Sequence, residues 1–163
     1  MAYDAFLKLD GIQGESQKQG HTQEIDIMSF SWGSSNPSSV GTGGGSSTGK
    51  VSVSDFSIMK PTDSSSPLLF QKCCDGTTIA TGLVTLRKAG GQSPIEYLKY
   101  NFTNVYVTSV QWSGSGGGGD DTPMESVSFT FETCTVDYTP QNDDGSPGGA
   151  VHGGWDVSAN VAK

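Results

Sequence analysis

Three cysteines and two histidines are the residues of this chain best suited to nucleophilic catalysis. Cys73, Cys74 and Cys134 carry thiols, and His21 and His152 are the imidazole bases. A cysteine hydrolase needs a thiol beside a base, and a third group that orients the base. His21 lies in a polar turn, the cysteines are expected to be buried, and only residue identity supports such a site. We predict no catalytic residue and no enzyme activity, and keep a Cys/His hydrolase effector as the lesser alternative.

Two glycine-rich stretches resemble nucleotide-binding loops but lack the residues that such loops need. Gly44 to Lys50 reads GGSSTGK, but Val51 stands where a Walker loop places the Ser or Thr that holds Mg²⁺. Glycines at 114, 116 and 119 match G-x-G-x-x-G, yet two aspartates follow them and would repel phosphate. We therefore predict no cofactor-binding residue and no cofactor.

The cysteine pattern predicts free thiols and no metal site. An odd number of cysteines in a chain without a secretory leader is typical of reduced, buried thiols. Cys73 and Cys74 are adjacent, so a disulfide between them would be strained. No Cys-x-x-Cys spacing offers zinc ligands, and the carboxylates are scattered along the chain.

The composition restricts the class of partner. The chain has 163 residues, and its 9 basic and 17 acidic side chains give a net charge of −8 at pH 7. This charge argues against nucleic acid and anionic membranes, because binding to both depends on clustered Lys and Arg. No apolar stretch approaches the length of a membrane span, so no membrane insertion is expected. The opening residues MAYD lack the features of a signal peptide, so we expect cytoplasmic synthesis and export without a cleaved leader.

Alternation of apolar and polar residues indicates a β protein. In the first run Leu7 and Leu9 flank Lys8, as a half-buried strand requires. Similar runs follow at residues 25–32, 51–58, 79–88, 95–112 and 124–138. The second run changes parity, which predicts a bulge near residues 27–28. Bulges bend a sheet, and a bent antiparallel sheet of this length tends to close. The predicted fold is therefore mainly β, a small closed antiparallel β-barrel.

One short helix is predicted at about Ser66–Asp75. A serine at position 65 or 66 can cap its start, Pro67 suits its first turn, and Gly76 can end it. Four apolar residues of this segment fall at helical spacing and predict one buried stripe. They are Leu69, Phe70, Cys73 and Cys74.

The predicted architecture is a single domain, residues 1–163, with two long segments outside the strands. Residues 33–50 form a long Gly- and Ser-rich loop, whereas most hairpins need only about two to five loop residues. Such a loop is either a spacer or a projecting interaction arm, and the sequence leaves both open. Residues 140–163 are predicted to form an irregular C-terminal tail, which Trp155 pins to the body.

Several ordered segments resemble the Hcp (haemolysin co-regulated protein) family of bacterial type VI secretion. They are FLKLDGIQGES at 6–16, HTQEIDIMSFSWG at 21–33, SSPLLFQKCCDGTTI at 65–79, TLRKAGG at 85–91, MESVSFTFETCTVDYTPQ at 124–141 and GWDVSAN at 154–160. The strand exit LRKAGG at 86–91 is the most diagnostic of these. The resemblance covers essentially the whole chain and departs chiefly at the adjacent cysteines and in the two Gly-rich loops.

The resemblance implies a structural role in secretion. Members of this family assemble into hexameric rings that stack into a tube, which a contractile sheath drives out of the cell. We therefore expect a homo-hexamer in stacked rings, with secreted effector proteins in the lumen and with sheath and spike components as further partners. The expected location is the bacterial cytoplasm, and then the exterior or a target cell.

The resemblance also supplies candidate residues for assembly and for cargo. In this family the long loop contacts the adjoining ring, which makes ring-stacking candidates of Gly41, Thr42, Gly43, Gly44, Gly45, Ser46, Ser47 and Thr48. Ser29 and Ser31 alternate with two aromatic residues of the same strand. If the aromatic side chains fill the barrel interior, the two serines face outward, and we take them as candidates for the residues that line the lumen. A small uncharged lining would hold cargo at little desolvation cost. The alternative from another class is a monomeric β-barrel binding module.

Overall fold

The computed structural model describes residues 2–39, 47–88, 93–117, 119 and 122–163. These residues form fourteen strands and one helix. In chain order they are β1 Tyr3–Leu9, β2 Ile25–Ile27, β3 Ser29–Ser31, β4 Ser34–Ser35, β5 Ser38–Ser39, β6 Ser47–Thr48, β7 Ser52–Val53, β8 Phe56–Pro61, α1 Ser66–Asp75, β9 Ile79–Lys88, β10 Glu96–Ser113, β11 Met124–Thr130, β12 Thr133–Tyr138, β13 Val151–Asp156 and β14 Val161–Ala162.

Ten of the strands belong to one antiparallel sheet, and the long strand β10 joins its two halves. In the first half β1 lies between β2 and β9, and β9 pairs with β10. Residues 98–103 of β10 also pair with β12, from which the sheet continues through β13 to β14. In the second half residues 106–113 of β10 pair with β11, followed by β8 and β3. Asn104, with a φ of 50°, lies where β10 changes partners from β12 to β11 within one continuous strand.

Met28 alone separates β2 from β3 and links the two halves of the sheet a second time. Its N–H donates to the carbonyl of Met59 in β8 at 2.8 Å. Strand pairing is interrupted at this residue. The continuous chain from β2 to β3 connects the strand that pairs with β1 to the strand that pairs with β8. The predicted change of parity is present, but Met28 is 65% exposed and does not begin a new inward-facing run. The strands thus surround the core as a barrel.

Phenylalanines from three strands form the centre of the core. Phe56, Phe102 and Phe129 are almost fully buried, and their ring centroids lie 5.3–5.4 Å apart. Trp32 packs edge-on against Phe102 at 5.7 Å, and Phe30 stacks on Phe56 at 5.6 Å. Truncation of one such phenylalanine to alanine typically costs about 3–5 kcal/mol. These contacts show that Phe30 and Trp32, the aromatic residues of the run at 25–32, face the barrel interior.

Helix α1 spans the predicted residues, but its buried stripe is narrower than predicted. Pro67 lies in the first turn, and Gly76 ends the helix with a φ of 70°. Leu69 is buried and Cys73 half-buried, whereas Phe70 and Cys74 are exposed, which corrects the predicted four-residue stripe. Phe70 packs instead against Trp112 on the surface, at a centroid distance of 5.7 Å. No helix in the described part of the chain is long and apolar enough to cross a membrane.

The predicted Gly/Ser-rich loop has a β-paired base. β4 pairs with β7, and farther out β5 pairs with β6, so residues on the two sides of the segment form a two-stranded ribbon. At its base Ser54 donates its N–H and its hydroxyl to the carbonyl of Gly33, both at 2.9 Å. Of the ring-stacking candidates, Ser47 and Thr48 form β6, and residues 41–46 lie outside the described residues. We call this segment, residues 34–53, the arm.

The C-terminal tail is more regular than predicted. Residues 151–156 form β13 along the whole length of β12, and β14 pairs with the end of β13. Trp155 packs against the core opposite Cys134, in agreement with its predicted pinning role. The expectation of an irregular tail is therefore wrong for 151–156. The single-domain organisation stays a prediction, supported by one sheet whose strands run from Tyr3 to Ala162.

Candidate functional site

The lumen candidates Ser29 and Ser31 lie on the outer surface of the barrel. Both are exposed, and Phe30 between them points into the aromatic core. This arrangement follows from the period of a strand, which sends successive side chains to opposite faces. The structure thus places the two serines side by side on one outward face, as the sequence predicted.

The strand register extends Ser31 into a row of four serines. Ser31 pairs with Ser57 of β8, Ser57 with Ser128 of β11, and Ser128 with Ser109 of β10. The hydroxyl oxygens of Ser57 and Ser128 lie 2.8 Å apart and form a hydrogen bond. Each strand contributes one hydroxyl, so the row crosses the whole second half of the sheet.

A second row runs beside the first. It begins at Ser29, continues through Met59 and Ser126, and ends at Gln111. The remaining outward positions of these strands are Pro61, Met124, Thr130, Tyr106, Thr108 and Ser113. No charged side chain occupies an outward position of β3, β8, β11 or residues 106–113 of β10. We call this outward surface the serine face.

The charges of these strands are instead turned inward. Lys60 and Glu125 are fully buried partners on β8 and β11, and Lys60 Nζ lies 2.7 Å from Glu125 Oε2. Lys60 also contacts the Asp63 carboxylate at 3.0 Å and the Ser66 hydroxyl at 3.2 Å. Trp112 Nε1 donates to the second oxygen of Glu125 at 2.5 Å. The network ties the end of the barrel to the start of α1.

The first half of the sheet exposes its charges on the outside. Lys99 pairs with Asp137 across β10 and β12, and Asp137 with His152 of β13, to which it is hydrogen-bonded. Further outward charged residues are Asp4, Lys8, Asp26, Glu96, Asp156 and Arg87, of which Arg87 is buried. We call this surface, formed by the outward residues of β1, β2, β9, β12, β13 and residues 96–103 of β10, the charged face.

His21 is buried against the charged face and joins two carboxylates. Its ring stacks on Phe6 at 4.2 Å, and only 5% of the residue is exposed. Nδ1 lies 2.6 Å from the Glu24 carboxylate, and Nε2 lies 2.8 Å from that of Glu96. His21 therefore clamps the turn before β2 onto the start of β10.

Glu96 is held in its charged form by its two basic neighbours. Burial alone would raise the pKa of its carboxyl, but hydrogen bonds and charge from Lys99 and His21 outweigh burial and leave the pKa below its ordinary value of 4.5. Lys99 Nζ lies 2.9 Å from the carboxylate. The clamp thus depends on an ionised Glu96.

The sequence candidates for catalysis are not brought together. In the part of the chain that the structure describes, His21 and His152 bond carboxylates, and neither bonds a cysteine. Burial raises the pKa of the Cys134 thiol, which disfavours the thiolate that a nucleophile requires. Among the described residues, no group of three or more His, Cys, Asp or Glu is arranged to hold a metal ion.

Sequence reasoning found two members of the serine face and missed the rest. Ser57, Ser126 and Ser128 alternate with buried residues in β8 and β11, so the two-residue period of the sequence was sufficient to predict that they face outward. Their assembly into rows depends on which strands pair and in what register. Lys60 and Glu125 occupy inward positions of the same alternation, and this signal of a buried ion pair was also present.

Comparisons with known proteins agree with the resemblance noted in the sequence. Residues 6–138 match the family model described as type VI secretion system effector, Hcp. Protein hcp1 of Pseudomonas aeruginosa is 42% identical over 162 residues, which cover 99% of each chain.

Solved structures of related proteins share the whole fold. A structure of a type six secretion system protein has a TM-score of 0.93 at 32% identity and covers 99% of this chain and 100% of its own. The crystal structure of Hcp1 from Salmonella typhimurium has a TM-score of 0.83 at 38% identity, with 100% of both chains covered. These matches confirm the predicted class, a mainly β barrel with one short helix.

Proposed function

The chain belongs to the Hcp family of type VI secretion tube proteins, and on this premise we propose that six copies close into a ring whose channel is lined by the serine face. Rings of this kind stack into the inner tube and carry effector proteins. The observation that carries the proposal is the uncharged face itself, built from four strands in a chain with a net charge of −8.

The chemistry of the serine face suits a passage for protein cargo. Hydroxyl groups form hydrogen bonds either with water or with the surface of a passing protein. Little free energy is lost when the protein surface replaces the water. A charged lining would have to give up its water at a much larger free-energy cost. Ser29 and Ser31, the most exposed residues of β3, are the residues that we place against the cargo.

The opposite surface of the barrel supports the same orientation. With the serine face turned to the channel, the charged face turns outward, toward the sheath. Some of its residues form ion pairs, such as Arg87 with Asp4 at 3.4 Å and Lys99 with Glu96 at 2.9 Å. Sheath and spike components are the further partners we propose. The chain is then made in the bacterial cytoplasm, leaves through the secretion system, and acts mechanically without an enzyme activity of its own.

The arm is the element that we propose for contact between stacked rings. Its ribbon leaves the barrel at Gly33 and returns at Ser54, where hydrogen bonds between these two residues hold the base of the arm together. The proposed contact residues are Gly41 to Thr48. Deletion of these residues is expected to leave hexamers intact and to weaken tube growth in electron micrographs. Tubes of normal length from this variant would contradict the role of the arm.

A Ser31→Glu variant tests the lining of the channel. We expect rings of normal size in negative-stain images, and a loss of the effector proteins that co-purify with wild-type rings, measured by quantitative mass spectrometry. Thr81→Glu, which adds the same charge at an exposed position of β9 on the charged face, is the matched control. Equal cargo in all three proteins would contradict the placement of the serine face in the channel.

Light scattering tests ring formation before any cargo is considered. A closed ring requires a fixed oligomeric mass, because cyclic symmetry uses every interface. A protein that stays a single subunit at high concentration would instead favour the alternative, a monomeric β-barrel binding module.

A further inference from the structure

The three methionines of the described chain all lie on or beside the serine face. Met59 and Met124 are half-buried outward residues of β8 and β11. Met28 lies at the break between β2 and β3, where it is 65% exposed. The fourth methionine of the sequence, Met1, is outside the described residues. The charged face carries no methionine in its strands, so the distribution is one-sided.

The strand register makes these methionines neighbours. Met28 donates its N–H to the carbonyl of Met59, and the residue after it, Ser29, pairs directly with Met59. Met59 also pairs with Ser126, and Met124 is two residues from Ser126 on the same face of β11. Diagonal positions of this kind lie about 7–8 Å apart, within reach of long side chains. The methionines therefore form a patch that includes Met59 of the second row and extends along the strands beside that row.

A methionine patch has a different binding chemistry from the serines beside it. The thioether side chain is apolar, polarisable and unbranched, so it adapts to surfaces of different shape. Serine hydroxyls exchange hydrogen bonds with water and contribute little net affinity. The outward residues of the face carry no charge, and the Asp55 carboxylate at its edge already accepts a hydrogen bond from Thr108 at 2.7 Å. A charged partner surface would therefore lose its water over most of the face without gaining an opposite charge. The matching surface is therefore uncharged and carries apolar side chains.

We propose that Met28, Met59 and Met124 are adaptable apolar anchors that select cargo proteins presenting an uncharged, apolar surface. This inference rests on the proposed function of the serine face and names the chemistry of its partner. The serines keep the channel wettable, while the methionines supply the affinity. Flexible methionine-rich surfaces suit binding to several partners of different shape, which a tube that carries more than one effector requires.

Peptide binding provides the test. The probes are two short fluorescein-labelled peptides without net charge, one with leucines spaced among serines and glycines, the other with asparagine at each leucine position. Fluorescence anisotropy on the full-length protein should show tighter binding of the leucine peptide. Replacement of all three methionines by glutamine, which has a similar length, should weaken that binding by about tenfold or more, since even one lost side-chain contact of about 1.4 kcal/mol has this effect.

Three further variants keep the result interpretable. Met28→Gln alone changes an exposed side chain, so a loss of binding there does not reflect misfolding. Val151→Gln changes a residue of β13 that is also 65% exposed, and it should bind the leucine peptide as the wild type does. Replacement of the methionines by leucine should retain binding.

The outcomes separate this inference from the proposed function. Wild-type binding of the leucine peptide by the triple glutamine variant would overturn the inference, as would an equal affinity of the wild type for both peptides. If Ser31→Glu still loses its effectors in that case, the channel role of the serine face stands. If the methionine variants lose the peptide while Ser31→Glu keeps its effectors, the patch binds apolar chains and the channel role fails.

Discussion

The serine face and the charged face belong to one sheet but place their charges on opposite sides of the wall. In the strands that carry the serine face, Lys60 and Glu125 point inward and form an ion pair without exposed surface. In the charged face, Lys99 and Asp137 point outward and are neighbours across two strands. Strand β10 contributes to both faces and changes its character at Asn104, where its partner changes.

This difference shows that the charge of the outward side chains is determined by the sequence of each strand and does not depend on the composition of the core. Both halves fill the interior with apolar and aromatic residues, so the core alone does not require either face. Burial of an ion pair is costly compared with leaving the same residues in water. The absence of charge from the serine face is therefore not a by-product of low charge in its strands. It fits a surface that must accept changing contacts.

The largest expected effect comes from the buried charge of the serine half. Lys60→Met leaves Glu125 buried without its partner, and we expect a loss of about 3–5 kcal/mol in the free energy of unfolding. Urea denaturation at fixed protein concentration measures it. The matched control is Lys8→Met on the charged face, where an exposed lysine should change stability by less than about 0.5 kcal/mol. Similar losses in both variants would remove the contrast between the two faces.

A second replacement sharpens the same point. Adding Glu125→Gln to Lys60→Met removes the unpaired charge, and the double variant should be more stable than Lys60→Met alone. A double variant as unstable as the sum of the single ones would indicate that the two residues act independently.

The next effect concerns the clamp on the charged face and has a defined pH dependence. Glu96→Gln removes the charged acceptor of His21 and Lys99, and we expect a loss of about 1 kcal/mol at neutral pH, since Glu96 is partly exposed. The pKa of Glu96 is lowered in the folded protein, so its contribution is present above the ordinary value of 4.5 and is lost as the pH falls through the lower, folded value. Urea denaturation from neutral to acidic pH should therefore show the two proteins converging below pH 4.5. A constant difference at all pH values would contradict this account.

Local patterns in the sequence were sufficient for much of the fold and for part of the site. Two-residue periodicity placed Phe30 inside and Ser29 and Ser31 outside. Pro67 and Gly76 marked the two ends of α1, whereas Ser65 precedes the helix without the side-chain capping hydrogen bond that was predicted. Each of these features depends on neighbours within a few residues. In β1, Leu7 and Leu9 are buried and Lys8 between them is exposed, as the alternation predicted.

Features that depend on distant segments were not predictable in the same manner. The serine rows need the register of four strands, and β13 is a strand because β12 offers it an edge. Phe70 looked like a core residue by spacing, but Trp112 from β10 gives it a surface partner instead. His21 appeared to lie in a plain polar turn, since Glu96 is far away in the sequence. In each case the partner that decides the environment comes from another part of the chain.

The smallest expected effect tests whether the serine rows contribute to stability or only to surface chemistry. Ser57→Ala removes a hydrogen bond of 2.8 Å to Ser128 between two half-buried residues, and we expect a loss of about 0.5 kcal/mol. Ser57→Ala with Ser128→Ala should cost little more than either change alone, because both remove the same bond. A double-mutant cycle by urea denaturation measures the coupling. If the losses simply add, the hydroxyls act separately on the surface, and their pairing does not hold β8 to β11.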